Sequence, residues 1–92
     1  MKVVINICYG GFGLSEAALK RYAEIKGIKG EVYEYDIARN DPALIQVLEE
    51  LEELSQGKHA ALKIVQIPDD VVWTINNYDG HEWVAEVHRT WH

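Results

Sequence analysis

The segment Val3-Val4-Ile5-Asn6-Ile7-Cys8-Tyr9-Gly10-Gly11-Phe12-Gly13-Leu14-Ser15-Glu16 constrains this chain more than any other. A run rich in β-branched residues reads as a buried strand. It breaks into three glycines within four positions, and Ser15 then opens a helix. Strand, glycine turn and helix start in that order build a loop whose backbone N–H groups accept an anion. Glycine permits positive φ and close backbone approach, and Ser15 is of the type that caps a helix. Two stricter motifs are excluded. Glu16 stands where a dinucleotide fingerprint has its third glycine, and no Gly-Lys-Ser/Thr follows. Two readings stay open: a tight turn bringing strand and helix together, or a loop that touches ligand.

Beyond Ser15, the residues Ala18, Leu19, Tyr22 and Ile25 fall at helical spacing, and Gly27 and Gly30 bound that helix. Residues 31–37 alternate apolar and acidic side chains and predict a short strand near a sheet edge. Asp41-Pro42 is a helix start with a cap followed by proline at the first helical position. Leu44, Ile45, Val47, Leu48, Leu51 and Leu54 extend that helix to about Ser55, with Gly57 closing it. Residues 61–67 read as a strand, Pro68-Asp69-Asp70 as a turn, and 71–78 as another strand. Asp79-Gly80 is the sharpest hairpin signal, with 81–89 as the returning strand; helical spacing also aligns Trp83, Val84, Val87 and Trp91. The expected fold is α+β in the order β-α-β-α-β-β-β. It has a small mixed sheet of about five strands, two helices on one face and a C-terminal β-hairpin. One domain spans residues 1–92.

Composition narrows the function. The net charge of −6 opposes counterion-release binding, so no nucleic-acid polymer is expected as a partner. Much of that charge lies in Glu49-Glu50-Leu51-Glu52-Glu53, which reads first as a solvated helix face. A single cysteine, Cys8, allows no intrachain disulfide and no thiol-rich zinc site, and it reads as a small apolar residue closing a strand. No apolar run is long enough to cross a membrane, no signal peptide is expected, and a reducing cytoplasm fits. A short chain has a thin stability margin, so with three Trp and five Tyr available a homo-oligomer is the favoured state.

Three segments together resemble a set of small, functionally uncharacterised proteins of tailed bacteriophages. They are Cys8-Tyr9-Gly10-Gly11-Phe12-Gly13-Leu14-Ser15, Arg39-Asn40-Asp41-Pro42-Ala43-Leu44, and Lys63 to Asp70 running on through Tyr78-Asp79-Gly80 to His88-Arg89-Thr90-Trp91. The resemblance covers nearly the whole chain, and its ends carry the specific part. It implies expression in the cytoplasm of an infected bacterium. By analogy of context and size it also implies an accessory, anti-defence role, such as sequestering nucleotide second messengers.

The candidate ligand-binding residues are Tyr9, Gly10, Gly11, Phe12, Gly13, Ser15, Arg89 and Trp91. The glycine turn offers backbone donors, Arg89 a bidentate fork for phosphate, and Tyr9, Phe12 and Trp91 flat faces for a base. The ligand expected is a small anion such as a cyclic nucleotide. Arg89 paired with Glu82 or Glu86 is the competing reading. Catalysis is poorly supported: Ser15 lacks a nucleophile elbow, and Asp69, Asp70 and Asp79 are turn formers first. His88 with Glu86 is a conceivable proton-transfer pair, the spacing of His81, His88 and His92 fits no zinc motif, and His59 is expected to be exposed. No cofactor and no metal are expected. The alternative function is inhibition of a host protein through an acidic and aromatic surface.

Overall fold

A computed structural model describes residues 1–86. Strand β1 (Lys2–Asn6) pairs antiparallel with β2 (Leu62–Gln66), Val4 lying opposite Ile64. The ladder continues past both ends, since the Ile7 amide donates to Ala61 and the Ile67 amide to Met1. Helix α1 (Glu16–Lys26) begins at Ser15, whose Oγ accepts the Ala18 amide at 3.1 Å, and ends where Gly27 turns left-handed at φ 69°. Helix α2 (Pro42–Leu51) begins at Asp41, whose carboxylate accepts the Ala43 amide at 2.8 Å. The second carboxylate oxygen of Asp41 accepts the Tyr22 hydroxyl at 2.7 Å, which ties the two helix faces together.

The core lies between the helices and one face of the β1–β2 ribbon. Val4 joins Ala18 and Tyr22 of α1 and Leu44, Val47 and Leu48 of α2, with Leu62 and Ile64 packed beside them. Alternation along the strands puts Val4, Leu62 and Ile64 on one side. Val3 and Ile5, on the other side, are also buried. The α+β class and the two helices over one sheet face agree with the sequence pattern.

The single mixed sheet does not form. The described residues hold two separate two-stranded antiparallel sheets, β1–β2 and a hairpin of β3 (Trp73–Tyr78) and β4 (His81–Glu86). Asp79 and Gly80 take positive φ (53° and 92°), the double left-handed geometry that matches hairpin twist. The hairpin does not add to β1 because that edge is already filled. The Val4 amide donates to the Arg39 carbonyl at 2.8 Å, and the Asn6 amide donates to the Glu82 carboxylate at 2.8 Å. A side chain from β4 thus occupies the place that a backbone carbonyl would take in a ladder.

The strand expected at 31–37 is likewise replaced, by irregular chain with a 3₁₀ turn at Glu34–Asp36. Its hydrogen bonds are local, from the Asp36 amide to Tyr33 and from the Ile37 amide to Glu34. Only Ile37 is buried there, and Tyr35 is 82% exposed. The segment carries acids at 31, 34 and 36, and among the described residues no second strand pairs with it. The second helix reaches Leu51 and continues as a 3₁₀ turn at Glu52–Ser55, because Glu52 adopts φ 52° and interrupts the α-ladder.

Candidate functional site

The glycines of the 9–13 turn are first of all packing residues. A Cβ at Gly10 would lie 1.8 Å from the His59 carbonyl oxygen, and one at Gly80 would lie 2.7 Å from that of Tyr9. Across the turn, the Gly57 amide donates to the Gly13 carbonyl at 2.9 Å. Three loops (the glycine turn, 57–60, and the hairpin tip) therefore meet backbone against backbone. Cys8 belongs to the same junction, its thiol donating to the His59 carbonyl at 2.8 Å.

Asn6 clamps that junction from beneath. It is fully buried, and its side-chain amide donates to the carbonyls of Cys8 (2.7 Å) and Gly80 (2.8 Å) while its oxygen accepts the Ala61 amide at 2.9 Å. Glu82, 9% exposed, receives a bidentate pair from Arg39 at 2.6 and 2.9 Å. The Arg39 guanidinium lies 3.7 Å from the centre of the Phe12 ring. Burial alone would raise the Glu82 carboxyl, but the Arg39 hydrogen bonds and the Asn6 amide outweigh it and hold the group below the usual carboxylate range. Every buried side-chain polar atom among the described residues has a hydrogen-bond partner.

The turn still leaves a hollow of about 220 Å³. Gly10, Gly11, Phe12, Gly13 and Leu14 form one wall, Gly57 to Ala60 another, and Glu34 reaches in. The Leu14 amide donates to the Glu34 carboxylate at 2.7 Å. Among the described residues, no acceptor pairs with the backbone amides of Gly10, Phe12 or Gly13, while the Gly11 amide belongs to the turn at residues 9–10 and packs against Gly80. Lys58 and His59, both exposed, supply the basic groups at the lining. The turn thus already holds one carboxylate and has further donors to spare.

The expected site residues divide accordingly. Gly10, Gly11, Phe12 and Gly13 come together at the hollow. The Phe12 ring is buried beneath Arg39 and offers no open face for stacking. The Ser15 hydroxyl caps α1 and donates to the Leu54 carbonyl at 2.6 Å, so it is committed to structure. Tyr9 is 68% exposed, tilted against the His81 ring with centroids 5.6 Å apart. Arg89 and Trp91, with His88 and His92, lie outside the described residues. Glu82, expected as a competing partner of Arg89, is bound by Arg39.

Sequence reading missed Asn6, Arg39, Lys58 and Glu34 as members of this region. The available signals were an Asn inside an apolar strand and a basic pair directly after Gly57. Among the described residues neither the Ser15 hydroxyl nor the Cys8 thiol is paired with a general base, and both donate to backbone carbonyls. Among the described residues no cluster of His, Cys, Asp and Glu is arranged to hold a metal ion, and no helix is long and apolar enough to cross a membrane. No protein-family model, curated protein or solved structure matches this chain.

Proposed function

We propose that the chain is a non-enzymatic phage accessory protein that binds and sequesters a small anion, a nucleotide second messenger being the ligand class. The observation that carries this reading is the hollow at the glycine turn. It has unpaired backbone amides, Lys58 and His59 beside them, and a carboxylate already seated on the adjacent Leu14 amide. A phosphate oxygen has the same chemistry as that carboxylate and makes stronger charge-assisted bonds. Glu34 then acts as an internal occupant that ligand displaces. Exposed Tyr9, near the hollow in sequence, is the aromatic available for a base.

Titration calorimetry with a panel of cyclic mono- and dinucleotides tests this. Saturable binding is expected for at least one member, weakened about tenfold by Lys58→Glu and strengthened by Glu34→Ala, which vacates the Leu14 amide. No heat across the panel removes the proposal.

A second reading, a phage inhibitor that binds a host protein, is favoured by the exposure of Tyr33, Tyr35, Tyr78 and Trp83. Purification from host lysate separates the two. A retained ultraviolet-absorbing small molecule supports sequestration, and a stoichiometric protein supports inhibition.

A further inference from the structure

The outer edge of β2 carries a hydrogen-bonding pattern that a second copy of the same edge completes. In the β1–β2 ladder Met1 is bonded to Ile67 and Ile7 to Ala61. Antiparallel alternation therefore turns the backbone of Leu62, Ile64 and Gln66 away from β1. The Leu62 amide is taken by the Gln56 side chain at 2.8 Å, and Pro68 has no amide to offer. Between these two positions, the amides of Ile64 and Gln66 have no acceptor among the described residues. Leu62, Ile64, Val65 and Ile67 are only half-buried, and an apolar groove of about 270 Å³ lies over Leu48, Leu62 and Ile64. An edge of this kind is a template for another strand.

We propose that two copies of the chain join through β2, antiparallel about a two-fold axis at Val65, into one sheet of order β1-β2-β2-β1. The open donors select this register. Ile64 of one copy lies opposite Gln66 of the other, and each amide meets the facing carbonyl. Leu62 lies opposite Pro68, so the position whose amide is already used meets the residue that has none. Centring the pair on Ile64 instead would set Gln66 opposite Leu62, whose amide Gln56 withholds. The side chains agree with the same register. Val65 faces its counterpart at the axis, Lys63 faces Ile67, and no charged side chain of 62–68 stands directly opposite a like one. Exposed Glu52 and Glu53 rim the groove beside Leu62. Leu62 of one copy is level with Pro68 of the other, which sets the two Leu62 positions about 20 Å apart along the joint. That is more than twice the screening length of about 8 Å at physiological salt, so the two acidic rims do not oppose the pairing.

Sedimentation velocity of the full chain over a dilution series tests this. A reversible dimer is expected, with its dissociation constant raised about tenfold or more by Gln66→Pro. That change removes an outward amide without touching the bonds to β1, and the Gln66 side chain is exposed, so the fold is retained. A second variant reads the register directly, in a Cys8→Ser background that keeps a donor for the His59 carbonyl. Val65→Cys chains should link on oxidation, because facing Cα atoms of a non-bonded pair lie about 4.5 Å apart, within disulfide reach. Lys63→Cys chains, about 13 Å apart along the joint, should not link. A monomer at millimolar concentration, a dimer that Gln66→Pro leaves intact, or cross-linking of Lys63→Cys as readily as Val65→Cys would each overturn the proposal.

Discussion

Replacing Glu82 by Gln isolates what joins the hairpin to the rest of the molecule. Glu82 accepts two Arg39 bonds and the Asn6 amide, and no backbone ladder connects β4 to β1. Gln keeps the shape and one acceptor but removes the charge and leaves Arg39 unpaired. Breaking a buried ion pair costs about 3–5 kcal/mol. The Arg39 side chain is 20% exposed, so water solvates part of the orphaned guanidinium and about 2–3 kcal/mol is the expected loss. A chain of 92 residues has roughly 5–14 kcal/mol of stability in all. The change lowers Tm by about 10–20 °C.

Urea denaturation at neutral pH measures this loss, with Glu50→Gln as the control, since the Arg21–Glu50 pair is exposed and its loss shifts the midpoint far less. Acid provides a second check. The Glu82 carboxyl is held below its ordinary value of 4.5, so its stabilisation is complete above that value and fades as pH falls below it. The gap between wild type and Glu82→Gln therefore closes below about pH 4.5. A loss under about 0.5 kcal/mol at neutral pH, or a gap unchanged in acid, refutes the clamp.

Three further outcomes follow from the same contacts. Gly10→Ala, whose Cβ meets the His59 carbonyl at 1.8 Å, costs about 2–4 kcal/mol by denaturation, whereas Gly11→Ala, with φ 88° but open space, costs about 1 kcal/mol. Ser15→Ala loses the α1 cap and the Leu54 bond and lowers stability by about 1–2 kcal/mol, while nucleotide heats in calorimetry stay unchanged. Burial and the hydrogen bond to Asp41 push the Tyr22 hydroxyl up to about 12, so its contribution is intact below 10 and is lost as pH rises through 12. A late absorbance step that coincides with unfolding, and is missing in Tyr22→Phe, is the expected alkaline titration.

Elements fixed by local chemistry were legible in the sequence. Ser15, Gly27, Asp41-Pro42 and Asp79-Gly80 each set a backbone geometry within a few residues, and all four appear as read. What escaped was decided by distant side chains. Asn6 sits within a strand of Val and Ile, and nothing nearby says that its neighbouring edge will be capped by Glu82, 76 residues away. That interaction, together with the Arg39 carbonyl on the Val4 amide, fills the β1 edge, and two ribbons stand where one mixed sheet was expected. Residues 31–37 alternate like a strand, but alternation specifies a strand only where a partner exists, and β1 had both edges occupied. The glycine turn follows β1 as read, but the segments it packs against, 57–60 and the hairpin tip, were not legible, and the groups opposite it, Lys58, His59 and Glu34, come from two other segments.

Amide chemical shifts of ¹⁵N-labelled protein, followed during addition of each cyclic nucleotide, test the anion site most directly. With a ligand that binds, the largest shifts should fall on Gly10, Gly11, Phe12, Gly13 and Lys58, and the Leu14 amide should move as Glu34 releases it. Shifts confined to other surfaces, or none across the panel at millimolar ligand, would contradict an anion-binding role for the turn.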